Sequence, residues 1–312
     1  MKLLVHLFAL FSSLVVTAYT PEHGFALEPP LKESVIRYRK YGNLIVLSPR
    51  INDTLQVNLI LDTGGRNIVL FGKRFLKCFN SYEPRPIRFS GLGERKPVSG
   101  HITLGNSVSF EGISGKRMPV VVVPGRNIFA GVGTIDGVIG YDLLTRFEIE
   151  VNPMESTITF RCAMKSNPRS ALDVHTLNPD ETLPYVAGGI LTSSGEKSLP
   201  LLIDTGSVLG LLYKTPDAPT GDSVVGQGYC GYLYGEVSTC DRLTATGIQL
   251  ATELEMTTAR QKRSNSLSIG MQFLKDYVFI INKVRGYFQL SPSPVQAEPN
   301  FGQGVPVIAR IY

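Results

Sequence analysis

The stretch LILDTGGRNIVLF, residues 59–71, places Asp62 inside an apolar run, and LPLLIDTGSVLGLL, residues 199–212, repeats the arrangement around Asp204. An ionised carboxylate withdrawn from water is costly unless it is paired or hydrogen-bonded. One such aspartate would be an ordinary loop end, satisfied by neighbouring amides. Two copies of the same acidic turn in one chain ask for a single arrangement that uses both.

The duplication extends beyond the turns. GVIGYDLLTRFEIEVNPMESTITF (137–160) and LSIGMQFLKDYVFIINKVRGYFQL (267–290) align at a constant offset of 130 residues. Gly140 falls on Gly270, Ile139 on Ile269, Phe147 on Tyr277, Ile149 on Phe279 and Asn152 on Asn282. Each copy reads as an apolar pair closed by glycine, one or two helical turns, then two alternating strands around a turn. Short apolar runs broken by 31 Gly and 20 Pro favour strands over long helices. The expected fold class is all-β, with two pseudo-symmetric lobes and a cleft between them. The N-terminal lobe is expected over 32–163 and the C-terminal lobe over 184–291. A polar connector with Pro168 and Pro179 covers 164–183, and 292–312 forms a Pro- and Gly-rich tail with a possible terminal strand.

The first residues, MKLLVHLFALFSSLVVTAYT, carry Lys2, an apolar core from Leu3 to Val16, and the small residues Thr17 and Ala18. This is the pattern of a signal peptide over 1–18, too short for a comfortable membrane span. It implies a secreted or periplasmic protein with no stable membrane insertion once the leader is gone. Residues 19–31 are an N-terminal segment that could serve as a propeptide. Four cysteines fit an oxidising compartment, and none has metal or redox spacing. Cys78 with Cys162 and Cys230 with Cys240 is the preferred pairing; three pairings are possible, and free buried thiols remain the alternative. The net charge of +5 is scattered and argues for no nucleic-acid partner.

Two adjacent buried carboxylates become tolerable when they share one proton. The ionised member can then take a proton from a water held between them while the protonated member polarises a carbonyl, which is amide hydrolysis with no metal and no organic cofactor. The flanking residues suit that task. Gly64 and Gly206 allow a tight turn with amides directed at the carboxylates, and the hydroxyls of Thr63 and Thr205 can tie the two loops together. Other catalytic sets are poorly supplied: of four His, one lies in the leader, and neither H-E-x-x-H nor G-x-S-x-G occurs. GQGYCG at 226–231 matches G-x-G-x-x-G without a following helix pattern and reads as a hairpin.

From about Ile36 to Leu290 the chain resembles the two-lobed aspartic peptidases of the pepsin and retropepsin type, on the pairs DTG with VIG and DTG with SIG. More closely it is similar to secreted, retropepsin-like aspartyl proteases of bacteria. The resemblance implies that Asp62 and Asp204 are the catalytic pair, that Gly140 and Gly270 let the chain pass beneath them, and that a peptide or protein substrate lies extended in the cleft of a monomer. It also implies two flaps, FSGLGERKPVSG (89–100) with Gly91 and Gly93, and VVGQGYCGYLYG (224–235) with Gly228, Tyr229 and Tyr232. Tyr82, Tyr229 and Tyr232 are candidates for a flap tyrosine, none in the pepsin context. The chain departs from the family where Gly65 follows the first Asp-Thr-Gly, since pepsins have Ser or Thr there; Ser207 follows the second. A hydroxyl beside only Asp204 would make Asp204 the more readily ionised partner. The rival reading is a catalytically inactive peptide- or glycan-binding protein on the same fold.

Overall fold

The computed structural model describes residues 23–292, except 83–84, 90, 94–96, 126–128, 130–134, 171–172, 219–222 and 263. The expected leader and the tail beyond Pro292 lie outside these residues. The described residues form three sheets, and strand is their main secondary structure, with only short helical segments between. In the first half, Leu59–Asp62 lies parallel to Gly137–Gly140, which lies antiparallel to Ile68–Phe71. All three strands are buried along their whole length. Their unbroken apolar sequence suits a strand covered on both faces. Ile113–Val123 and the long strand Val98–Phe110 continue this sheet and fold it around the first core.

The second half repeats the plan. Gly195–Ile203 lies parallel to Ser266–Ile269, which pairs antiparallel with Leu211–Thr215. Tyr185–Thr192 pairs on one side with Gly195–Ile203 and on the other with Gly231–Ala245, so this sheet closes on itself.

A third, six-stranded sheet joins the halves in the order Val174–Thr176, Tyr287–Pro292, Tyr277–Asn282, Phe147–Asn152, Thr157–Cys162, Glu33–Arg37. At its centre Glu150 pairs with Ile280, flanked by Ile149 with Ile281 and Val151 with Phe279. Glu150 and Ile280 are themselves 130 residues apart, so the repeat offset places the pseudo-twofold axis through this pair. The sheets therefore do not follow the lobe limits expected from sequence. All four closing strands, two from each half, lie in the shared sheet, and the polar connector contributes Val174–Thr176 to its edge. The N-terminal segment also belongs to the fold: Gly24–Leu27 pairs with Ile113–Val123, and Phe25 is buried in the first core.

Disulfides are not formed; all four cysteines are free thiols. Cys230 sits at the start of a strand that runs from Gly231 to beyond Cys240, and at about 3.3 Å per residue the two are roughly 30 Å apart, far outside bridging distance. Cys78 is exposed on the helical segment Lys73–Tyr82, with its Sγ toward the Arg74 carbonyl, whereas Cys162 closes a strand of the shared sheet.

The shared sheet encloses one charge. Glu148 is completely buried and accepts from Arg169 at 2.9 Å, from the Tyr287 hydroxyl and from Asn282 at 3.5 Å, with Arg161 at 3.7 Å. These partners come from both halves and from the connector. Glu148→Ala leaves the Tyr287 hydroxyl without its acceptor and Arg169 without its buried carboxylate. It should lower stability by about 3–5 kcal/mol, read as a shifted denaturant midpoint; a change within about 0.5 kcal/mol, ordinary for a surface site, would show that Glu148 does not hold the halves together.

Candidate active site

Asp62 ends the strand Leu59–Asp62 and Asp204 follows Gly195–Ile203, each stopped at a tight turn. The turns meet across the axis through their threonines, both fully buried. Thr63 N–H donates to Thr205 Oγ1 at 3.1 Å, and Thr205 N–H donates to Thr63 Oγ1 at 3.0 Å. Each hydroxyl in turn donates to a carbonyl of the opposite strand, Thr63 to Ile203 at 2.6 Å and Thr205 to Leu61 at 2.7 Å. Four reciprocal hydrogen bonds in a water-free seam fix the distance between the turns.

The glycines show how tight that distance is. A Cβ on Gly206 would stand 2.5 Å from Asp62 Oδ1, and one on Gly64 would stand 3.0 Å from Asp204 Oδ1. Each turn thus lies against the carboxylate of the other. Gly140 and Gly270 serve the layer below. A side chain on Gly140 would begin 1.7 Å from the Asp62 carbonyl oxygen, and one on Gly270 would begin 2.6 Å from that of Ser207.

Both carboxylates are almost completely buried, Asp62 at 9% exposure and Asp204 at 7%. Burial raises both above the usual carboxylate range, but their partners differ. Asp62 is offset by hydrogen bonds from the Tyr229 hydroxyl and from the amides of Gly64 and Gly65. Asp204 is pushed up to about 7 by burial and then by the charge of Asp62, against weaker relief from Lys214 and the amides of Gly206 and Ser207. The arrangement favours one proton on the pair at acid to neutral pH, with Asp62 as the anion.

That polarity is opposite to the expectation from Ser207. The Ser207 hydroxyl accepts from the Leu209 amide at 3.3 Å and stands over Gly270, turned to the backbone below. The hydroxyl at the carboxylate pair belongs to Tyr229, which donates to Asp62 Oδ2 at 2.9 Å. Oδ2 is the oxygen beside Gly65, where a Cβ would stand only 2.8 Å away. Gly65 therefore leaves room for the Asp62 carboxylate that accepts from Tyr229. Burial and the two carboxylates hold the Tyr229 phenol well above its ordinary value, so it stays a donor. Its role was not legible locally; the signal for it was the missing hydroxyl at position 65 together with a tyrosine at a glycine-rich hairpin tip.

The two hairpin tips meet above the pair. Cys230 N–H donates to the Leu92 carbonyl at 2.9 Å, and Gly91 N–H donates to Cys230 Sγ at 3.2 Å. Gly93, at φ +121°, and Gly228 leave no room for side chains there: a Cβ would lie 2.5 Å from the Cys230 carbonyl carbon and 2.2 Å from the Leu92 oxygen respectively. Tyr229 packs its ring on Phe71, with centroids 5.4 Å apart. Tyr232 points outward and is exposed, and Tyr82 ends the helical segment Lys73–Tyr82. Beneath the tips lies a cavity of about 570 Å³ whose walls include Asp62, Asp204, Arg66, Tyr185, Lys214 and Tyr229. It opens between the halves, as an extended ligand requires. Among the described residues no helix is long and apolar enough to cross a membrane.

A family model for aspartyl proteases matches residues 47–143, which include Asp62 and Gly140. No curated protein matches the sequence. Among solved structures, the aspartic proteinase from Irpex lacteus superposes with a TM-score of 0.52, covering 84% of this chain and 98% of its own, at 12% identity. At that identity the likeness speaks for the fold. In fold, and in the sequence of its first lobe, the chain resembles the two-lobed aspartic peptidases of the pepsin and retropepsin type.

Proposed function

We propose that the protein is an aspartic endopeptidase, which hydrolyses peptide bonds with a water held between Asp62 and Asp204. One observation carries this reading: two buried carboxylates are held against each other's turns by the Thr63 and Thr205 seam. A binding protein has no use for that cost. In the first step ionised Asp62 takes a proton from the water, whose oxygen bonds to the substrate carbonyl carbon, while Asp204 gives its proton to the carbonyl oxygen. In the second, the diol collapses. Asp204 recovers a proton from one hydroxyl, Asp62 passes its proton to the departing nitrogen, and the C–N bond breaks. Atoms and protons balance, and the pair ends as it began. The sequence of the leader supports a site of action in the periplasm or outside the cell, and we propose a monomer as the working form.

The direct test is cleavage of an unstructured protein by the purified chain across pH, with Asp62→Asn and a hydroxyl-bearing transition-state mimic alongside. Wild type should cleave, and the substitution should remove activity by a factor of about 10³ or more, the scale of losing a catalytic acid–base group. Equal cleavage by both proteins, or none by wild type, would contradict the reading. The working form holds one proton, so activity should fall as pH rises through about 7, where Asp204 loses it. A rate still climbing well above that pH would count against the shared proton.

Tyr229→Phe separates the hydroxyl from the ring. A donor to the ionised form lowers a carboxylate's pKa, so removing it should raise Asp62 and move the acid limb of the rate profile upward. A charge-assisted hydrogen bond of about 1.5–3 kcal/mol corresponds to roughly one to two pH units. Ser207→Ala should leave that limb in place. An unmoved limb in the phenylalanine variant, or a moved one in the alanine variant, would reassign the ionised partner.

A further inference from the structure

Lys214 is the residue this mechanism does not use. It lies in the strand Leu211–Thr215, is 5% exposed, and contributes to the wall of the active-site cavity with Asp204, Gln261 and Ser264. Among the described residues it forms no salt bridge and no hydrogen bond through its ammonium group. Asp204 acts on it only across space. Lys197, two strands away, shows the ordinary alternative, donating to the Tyr213 hydroxyl at 3.2 Å.

The first lobe shows that the fold does not need a cation there. Val138 pairs with Val69, and its repeat equivalent Ser268 pairs with Leu212. Two residues further along the same strand faces stand Phe71 in the first lobe and Lys214 in the second. Phe71 is fully packed, against Phe129 and Tyr229. An aromatic residue at this position thus supports the core, whereas Lys214 brings an ammonium group to the cavity wall. Burial lowers the lysine and the neighbouring Asp204 holds its charge in place. The pocket wall beside it is otherwise neutral and polar, from Gln261 and Ser264.

The geometry points to a subsite on the Asp204 side of the cleft in which Lys214 receives a carboxylate of the bound peptide, making the enzyme selective for an acidic residue near the scissile bond. This rests on the peptidase reading and names its substrate class. The carboxylate comes from an aspartate or glutamate side chain; a free C-terminal carboxylate has the same chemistry and is separated by the test.

The test uses paired peptides that differ by Glu against Gln at each position around one scissile bond, each with a free or amidated C-terminus. Wild type should show a kcat/KM at least about ten-fold higher for Glu at one position, the scale of a charge-assisted hydrogen bond, and amidation should not matter. Lys214→Met, close in volume, should abolish the ratio, and Lys214→Arg should retain part of it. Circular dichroism and thermal melts establish that both variants fold. A ratio near one in wild type, or a ratio that survives Lys214→Met, overturns the proposal; so does a methionine variant that slows Glu and Gln peptides equally, since that is the mark of a lysine acting only through Asp204. If amidation rather than Gln removes the preference, the carboxylate is terminal and the side-chain assignment is overturned. Calorimetric binding of the same peptides to Asp62→Asn reads the Glu preference without turnover: a preference there without cleavage by wild type removes the peptidase reading and leaves the subsite, and cleavage by wild type without a preference does the reverse.

Discussion

The molecule depends on holding two nearly buried carboxylates together. Both are raised by burial and the charge of Asp62 raises Asp204 further, so the pair is best tolerated with a single proton between them. Nothing local can supply that proximity, because the aspartates are on separate halves of the chain. The seam between Thr63 and Thr205 supplies it, and the rest of the fold serves the seam. The parallel strands behind each turn, the glycines at 140 and 270 that let the next strand pass without a side chain, and the shared sheet that joins the halves all fix one short distance.

Function enters where the symmetry is broken. The two turns are equivalent in backbone and threonine contacts but differ at the next residue, Gly65 against Ser207. The glycine leaves room for the Asp62 carboxylate, which accepts from a hydroxyl brought by the opposite lobe, while the serine hydroxyl is spent on its own backbone. The two carboxylates thereby have different partners. A second break sets Lys214, in the cavity wall, against the packed Phe71 of the first lobe.

Much of this was legible in the sequence because the repeat is strict where packing is strict. The offset of 130 residues was visible in the closing strands, and the same offset marks the axis pair Glu150 and Ile280. The aspartates, threonines and glycines stood out because their surroundings forbid alternatives. What the sequence hid was long-range. Tyr229 reaches Asp62 across 167 residues, and the tips of the two hairpins join through one main-chain bond between Cys230 and Leu92. Strands that leave their lobe for a common sheet carry the same alternation as strands that stay. Cysteine spacing was misleading for a physical reason, since ten residues of extended chain separate Cys230 from Cys240 rather than a turn that would fold them together.

Carboxyl carbon chemical shifts of labelled aspartate, followed across pH and assigned with Asp62→Asn and Asp204→Asn, address the shared proton itself. The pair should titrate in two well-separated steps, the upper one near 7 and belonging to Asp204. Two carboxyls that titrate together in the ordinary aspartate range, near 3.8, would mean that they neither share a proton nor sense each other's charge.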